Sequence, residues 1–254
     1  MWDAGQYLKY SEERARPFFD LLARVRRERA DHIADLGCGP GHLTRILTER
    51  WPAARVVGVD SSAEMMASAQ PLALPGRLKF ALADIASWSS DAPLDLMISN
   101  AALQWVGNHD ALLSRLAGML AAGGTLAVQM PYHFDSAAHR AIDEAKAGPR
   151  WGAVLQGIGL QQKSVLPLTW YVEHLHDLGF TVDAWQTTYI HVLTGASPVL
   201  EWFKGTALRP LLSRLAPQEQ EPFLGEVDSR FKAAYPARGN VTLLPFPRLF
   251  FVAT

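Results

Sequence analysis

Between residues 32 and 130 the chain alternates short apolar, β-branched runs with longer runs of helical period: HIADL, HLTRILTERW, RVVGVD, SAEMMASAQ, LKFALAD, LDLMIS, DALLSRLAGML and TLAVQM. The short runs read as strands and the long ones, with apolar residues three and four apart, as helices. Strands joined through helices lie side by side in parallel, with the helices covering both faces of the sheet. The helix starts carry their own chemistry. Ser61 or Ser62 is placed to cap the helix of Met65 and Met66, and Asp110 to cap a helix that runs to Leu120 before a stop at Gly123-Gly124.

Beyond residue 131 the rhythm changes. WYVEHLHDLG predicts a helix ending at Gly179, FTVDAWQTTYIHVL a strand, residues 198–235 a mostly helical block around Pro210, Pro217 and Pro222, and VTLLPFPRLFFVA a closing strand. The helical block is expected to be a cap inserted between the last two strands, over the ligand end of the sheet. This divides the chain into an N-terminal helical lid segment (1–30), a core (31–195), the cap (196–238) and the last strand of the core sheet (239–254). At 254 residues, 49% of them hydrophobic, the chain has enough apolar side chains to fill such a core.

Composition narrows the function. The net charge is −1 and there is no long run of Lys and Arg, which argues against nucleic acid or an anionic membrane as partner. Arg24, Arg26, Arg27 and Arg29 read as the solvated end of a helix. Cys38 is the single cysteine, so no intramolecular disulfide can form and a cysteine-based zinc site has no ligands; no metal is expected and a reducing cytoplasm fits. The first residues lack the apolar centre of a signal peptide, and no stretch stays apolar long enough to span a bilayer. The expectation is a soluble protein, a monomer or weak homodimer.

Residues 35–42 read DLGCGPGH. Glycines directly after a buried strand let the backbone turn sharply and approach a ligand, while the following helix offers free N–H groups. Spacing excludes a G-x-G-x-x-G dinucleotide fingerprint, and no Lys-Ser or Lys-Thr pair marks a phosphate loop. Asp35 would repel a pyrophosphate but suits a ligand with a cationic amine. Cys38 reads as a small apolar spacer, since nothing near it marks a thiolate.

D-x-G-x-G-x-G after the first strand resembles the first motif of the class I S-adenosylmethionine-dependent methyltransferases, and later residues follow that family's order. The resemblance implies a Rossmann-like fold, a seven-stranded, mostly parallel sheet with helices on both faces and a helical cap. It implies S-adenosylmethionine as cofactor and S-adenosylhomocysteine as product. Asp35, Gly37, Gly39 and Gly41 would form the cofactor loop, and Asp60, with Ser61 beside it, would receive the ribose hydroxyls. Met65 would pack near the adenine, and Asp84 with Ile85 would bind it. Asn100 and Trp105 would flank the methionine moiety. Taken singly, Asp60 and Asp84 are equally compatible with strand-end turns, and Met65 with core packing.

Three further stretches, YLKYSEERARPFFDLLARV, WQTTYIH and the pair GTALRPLL and FPRLFFVA, resemble the trans-aconitate 2-methyltransferase family, whose members form a monomethyl ester of a small tricarboxylic acid. An ionised carboxylate acceptor needs no general base, and no single base stands out. The substrate candidates are Tyr7, Tyr10, Arg16, Gln104, Tyr189, His191, Arg209 and Arg248. Arg209 and Arg248 each interrupt an apolar stretch, so each wants a partner, either a substrate anion or an internal Asp or Glu. Arg16 is also compatible with a solvated position, His191 with a packed strand, and Tyr7 and Tyr10 with a lid or with core packing. The leading reading is a carboxyl methyltransferase of a small polycarboxylate. A carboxyl methyltransferase of a carrier-bound acyl group and a non-catalytic S-adenosylmethionine-binding protein are the alternatives. A base-modifying nucleic-acid methyltransferase would carry [DNS]-P-P-[YFW] where this chain reads SNAALQW.

Overall fold

Every strand expected from the alternation is present in one sheet. The computed structural model describes residues 11–133, 135–158 and 165–254, so Tyr7 and Tyr10 lie outside the described residues. Strands β1 (His32–Leu36), β2 (Arg55–Asp60), β3 (Leu78–Leu82), β4 (Leu94–Asn100), β5 (Leu120–Pro131), β6 (Val182–Thr194) and β7 (Val241–Ala253) lie in the order β3-β2-β1-β4-β5-β7-β6. β1 pairs in parallel with β2 and β4, β2 with β3, and β4 with β5, whereas β7 runs antiparallel to β5. The chain winds outward in one direction from β1 and in the other from β4. The C-terminal ends of these neighbours are therefore a topological switch point, where open α/β sheets leave a crevice for ligands. The residues of β1 and β4 form nearly continuous apolar runs because both faces are covered: Ile33, Ala34 and Leu36 are buried along β1, and Leu96, Met97 and Ile98 along β4.

The helices are α1 (Ser11–Arg24), α2 (His42–Arg50), α3 (Ala63–Ala69), α4 (His109–Ala117), α5 (Ala137–Ala147), α6 (Gly152–Leu155), α7 (Leu168–Asp177), α8 (Pro198–Lys204), α9 (Arg209–Leu212) and α10 (Pro217–Ala234). Ser62, the second of the two candidate caps, starts α3: its hydroxyl accepts from the Met65 N–H at 3.3 Å. Ser62→Ala should cost about 1 kcal/mol, read as a lower midpoint in urea. α4 departs from expectation at both ends. Asn108, at φ 50°, is the cap and accepts from the Ala111 N–H at 3.3 Å, while Asp110 sits in the first turn, where its charge complements the helix dipole. The helix stops at Ala117, and Leu120 already begins β5.

Gly123 and Gly124 are consequently inside a strand. Pairing jumps from Leu94 with Leu120 to Leu96 with Thr125, so β5 carries extra residues opposite β4. Glycine makes this bulge possible: Gly123 has φ 69°, and a Cβ on Gly124 would lie 2.8 Å from the Leu94 carbonyl oxygen.

The described residues cluster into two compact units. The first comprises Glu12–Pro131, 165–187 and Arg248–Thr254; the described part of the second falls within Tyr132–Lys163 and Thr188–Pro247. The first holds β1 to β5 with α2, α3, α4 and α7. The second takes α5 and α6 together with α8, α9 and α10 around a core that includes Trp151, Phe203, Phe223 and Phe231. Inside it the Trp151 indole N–H donates to Glu226 at 2.9 Å, which holds the Glu226 carboxyl below its usual range. β6 and β7 contribute residues to both units.

Candidate cofactor and substrate site

The glycine loop leaves β1 and is tied to β2. The N–H groups of Gly37 and Cys38 both donate to the Val59 carbonyl, at 2.7 and 3.0 Å, and the Gly39 N–H donates to Asp60 Oδ2 at 2.9 Å. Gly37, Gly39 and Gly41 have φ of 79°, 54° and 81°, the left-handed region that side chains with a Cβ resist. At Gly37 a Cβ would fall 2.0 Å from the Ala102 Cβ, so close packing of the loop against the turn after β4 also demands glycine. At Gly39 a Cβ would meet nothing within 4 Å. The loop there faces open space. Gly41 starts α2 without a side-chain cap.

Asp35 lies beneath this loop, 3% exposed, and accepts a 2.6 Å hydrogen bond from the Thr44 hydroxyl on α2. Burial pushes its carboxyl up to about 7; the Thr44 bond opposes the shift and the Asp60 carboxylate adds to it. A buried carboxyl that ionises so reluctantly gains from a cation placed against it. Burial, with Asp35 and Asp60 nearby, pushes the Cys38 thiol up as well, consistent with a spacer and not a nucleophile. Asp60 caps β2 with both oxygens engaged, Oδ2 by Gly39 and Oδ1 by the Ser62 N–H at 2.9 Å. A carboxylate can accept further bonds, so this leaves room for hydroxyl donors. Ser61 is exposed and Met65 half-buried beside it.

After β3, Asp84 closes a turn: Oδ1 accepts from the Ala86 N–H at 2.8 Å. A turn-forming aspartate keeps a second oxygen that can accept a further hydrogen bond. Ile85 is buried, and its carbonyl is held by Arg115 of α4, which also donates to the Trp88 carbonyl at 2.5 Å. After β4, Asn100 has a buried Oδ1 with no partner among the described residues. Ala101 adopts φ 56°, a conformation rare for a residue with a Cβ, and is locked on both sides: its N–H donates to the Gln129 carbonyl at 2.9 Å, and its carbonyl accepts from Gln104 Nε2 at 2.7 Å. Gln104 is buried and Trp105 49% exposed in the short helical turn that follows. His109 anchors that turn. Its Nε2 donates to the Leu103 carbonyl at 2.9 Å, so Nδ1 must accept from the Tyr171 hydroxyl at 2.5 Å, and burial lowers its pKa.

The loop, the locked turn and the acids on successive strand ends are thus assembled at one end of the sheet. Comparison with known proteins gives this arrangement a family. Residues 33–124 match the methyltransferase domain family. The trans-aconitate 2-methyltransferase of Streptomyces avermitilis is 47% identical over 99% of this chain and 96% of its own length, and that of Mycolicibacterium gilvum is 44% identical over 100% and 98%. The chain belongs to the trans-aconitate 2-methyltransferase family. Among solved structures, a methyltransferase from Geobacter sulfurreducens in complex with S-adenosylhomocysteine aligns over 94% of this chain and 90% of its own, with a TM-score of 0.54 at 17% identity. A mycolic acid cyclopropane synthase in complex with the same compound aligns over 96% and 85%, at 0.55 and 16%. These likenesses establish the fold, that of the class I methyltransferases.

The substrate candidates divide between the two units. Gln104 and Arg248 belong to the first unit, and Tyr189, His191 and Arg209 to the second. Arg16 is exposed on α1, and Arg209 is half-buried at the start of α9. His191 is buried against Trp202 and Phe246, ring centroids 4.3 and 5.4 Å away, which is the packed strand environment. Arg248, 4% exposed, donates to Gln129 Oε1 at 3.1 Å, an amide oxygen that leaves the guanidinium charge in place.

Sequence reasoning missed Thr44, Arg115 and Gln129. Thr44 and Arg115 are ordinary helix residues whose targets lie outside their helices, on Asp35 and on the carbonyls of Ile85 and Trp88. Gln129 did carry a signal: it breaks the apolar run TLAVQM as Arg248 breaks its own.

Proposed function

We propose that this protein transfers a methyl group from S-adenosylmethionine to a carboxylate of a small polycarboxylic acid, with trans-aconitate as the acceptor and a monomethyl ester as the product. The observation that carries this reading is the extent of the family match. The methyltransferase domain ends at residue 124, yet identity of 44 to 47% with trans-aconitate 2-methyltransferases runs through at least 99% of the chain. The segments outside the shared domain, which choose the acceptor in a fold that hosts many acceptors, therefore follow this family too.

The residues at the strand ends fit the cofactor. The space above Gly39 admits it, Asp35 supplies a buried acid for its ammonium group, and Asp60 and Asp84 keep acceptor capacity for ribose and adenine. Ile85 and Met65 offer apolar surface, and Asn100 presents an unmatched acceptor near the methionine end, with Trp105 close in sequence. When bound, the cofactor supplies a methyl group on a sulfonium. The chain need not supply a base, because the acceptor carboxylate is already ionised at neutral pH. Its work is to align the acceptor oxygen and exclude water, which contributes on the order of 7 to 11 kcal/mol to such reactions. Arg248 suits an anchor for a carboxylate other than the one methylated, since a cation against the attacking oxygen would weaken it as a nucleophile.

The test is transfer of labelled methyl to trans-aconitate, cis-aconitate, citrate, isocitrate and a carrier-bound malonyl group. The expected result is a base-labile label on trans-aconitate above the others. Label on the malonyl carrier alone, or on no acid while S-adenosylhomocysteine still binds, would overturn the reading.

A further inference from the structure

The ends of β4 and β5 and the middle of β7 bring three polar residues together within the first unit. Asn100 is the register partner of Gln129, and Arg248 that of Pro131, two residues further along β5. Side chains two apart on a strand share a face, as do register partners on neighbouring strands, so Asn100, Gln129 and Arg248 project to the same side of the sheet. Gln129 is fully buried. A guanidinium can only donate, so the 3.1 Å contact from Arg248 Nη1 obliges the Gln129 amide to present Oε1 to it and turn Nε2 elsewhere. Nε2 is buried and finds no acceptor among the described residues, while the Oδ1 of neighbouring Asn100, also buried, finds no donor. A donor and an acceptor on paired residues that do not satisfy each other are set to receive something else.

We propose that Gln129 positions the methyl acceptor, its Nε2 donating to a carboxylate oxygen that is not methylated while its Oε1 holds Arg248 toward the same anion. The inference rests on the polycarboxylate reading above. An amide suits this task because its two ends do different work: the oxygen fixes the guanidinium without neutralising it, and the nitrogen adds a donor to the carboxylate. A glutamate at this position would still fix the guanidinium but would neutralise it, and would replace the donor with a repelling acceptor. The unmatched Asn100 Oδ1 is left for the cationic end of the cofactor.

The test compares wild-type protein with Gln129→Glu and Gln129→Met. Each is loaded with S-adenosylhomocysteine and titrated with trans-aconitate by calorimetry, and initial rates are measured with S-adenosylmethionine. Wild-type protein that neither binds nor methylates trans-aconitate would fail the polycarboxylate reading itself, before Gln129 is in question. With wild-type activity in hand, both variants should raise KM and the Kd of trans-aconitate by about 10- to 100-fold, the loss of a hydrogen bond to a charged group. Their kcat and their affinity for S-adenosylhomocysteine should be unchanged. If Gln129→Glu does not fold, Gln129→Met, of similar length and apolar throughout, is read by the same criteria. Wild-type KM in the variants would overturn the proposal, as would a fall in kcat alone or weakened binding of S-adenosylhomocysteine, which would move Gln129 to the cofactor.

Discussion

Asp35→Asn should make the cofactor-free protein more stable at pH 8 and nearly unable to hold the cofactor. Burial raises the folded carboxyl to about 7 from 3.8, so between these values the folded state binds more protons than the unfolded and stability falls as pH rises. By pH 8 the charged Asp35 withholds about 4 kcal/mol, at 1.36 kcal/mol per pKa unit. Asparagine removes that cost and keeps an oxygen for Thr44, but buries an amide N–H2 at about 1 to 3 kcal/mol, for a net gain of about 2 kcal/mol. In a chain of this size that is a rise in Tm of roughly 4 to 8 °C at pH 8. At pH 4 the advantage disappears and the variant should melt slightly lower than wild type. The cofactor sees the opposite sign: loss of a buried carboxylate opposite a cation should weaken S-adenosylmethionine binding by about 100-fold or more. Wild-type affinity should itself increase as pH rises through 7, as Asp35 ionises. Melting at two pH values and calorimetry on both proteins check this, and an unchanged Kd would remove Asp35 from the cofactor site.

Gly37→Ala and Gly39→Ala, two residues apart in one loop, should fail in different ways. At Gly37 the new Cβ would lie 2.0 Å from the Ala102 Cβ with φ at 79°. Left-handed backbone costs about 1 to 2 kcal/mol for an alanine, and overpacking about 1 to 3 kcal/mol more. The variant should therefore lose about 3 kcal/mol or more of stability, read in urea, because the loop and the locked Asn100–Ala102 turn must separate. At Gly39 the methyl meets no protein atom within 4 Å, so only the backbone cost of about 1 to 2 kcal/mol applies and the protein should fold. The methyl enters the space assigned to the cofactor, and S-adenosylhomocysteine should bind about tenfold or more weakly. Equal destabilisation of the two variants, with affinity intact in Gly39→Ala, would contradict this division of labour.

The division between what the amino-acid pattern determines and what tertiary packing decides can be read residue by residue. The strands from HIADL to TLAVQM, the closing strand Val241–Ala253 and the acid-glycine loop were legible because each depends on local chemistry: burial on two faces, helix period, positive φ at glycine. Gly123-Gly124 misled because the same residues that stop a helix also permit a bulge, and only the β4 pairing partner distinguishes the two. Asp110 misled because Asn108 tolerates the left-handed φ that the entry to α4 requires. Asp35, Asp60, Asp84 and Asn100 share one end of the sheet because each lies at or just after the C-terminal end of a parallel strand. The acceptor candidates were harder to place because they come from remote segments of both units.

By itself the sequence determined the parallel strands, the helices between them and the glycine loop after the first strand, since these follow from short-range periodicity and glycine geometry. Only the tertiary structure decided what meets Arg248. Its partner is 119 residues away on the neighbouring strand, and no local rule specifies whether a buried guanidinium will find a carboxylate or the oxygen of an amide. That register between β5 and β7 also accompanies a Gln129 nitrogen that finds no acceptor among the described residues. The strands and helices were written in local chemistry, and the polar pairing between β5 and β7 was set by packing between segments the sequence keeps apart.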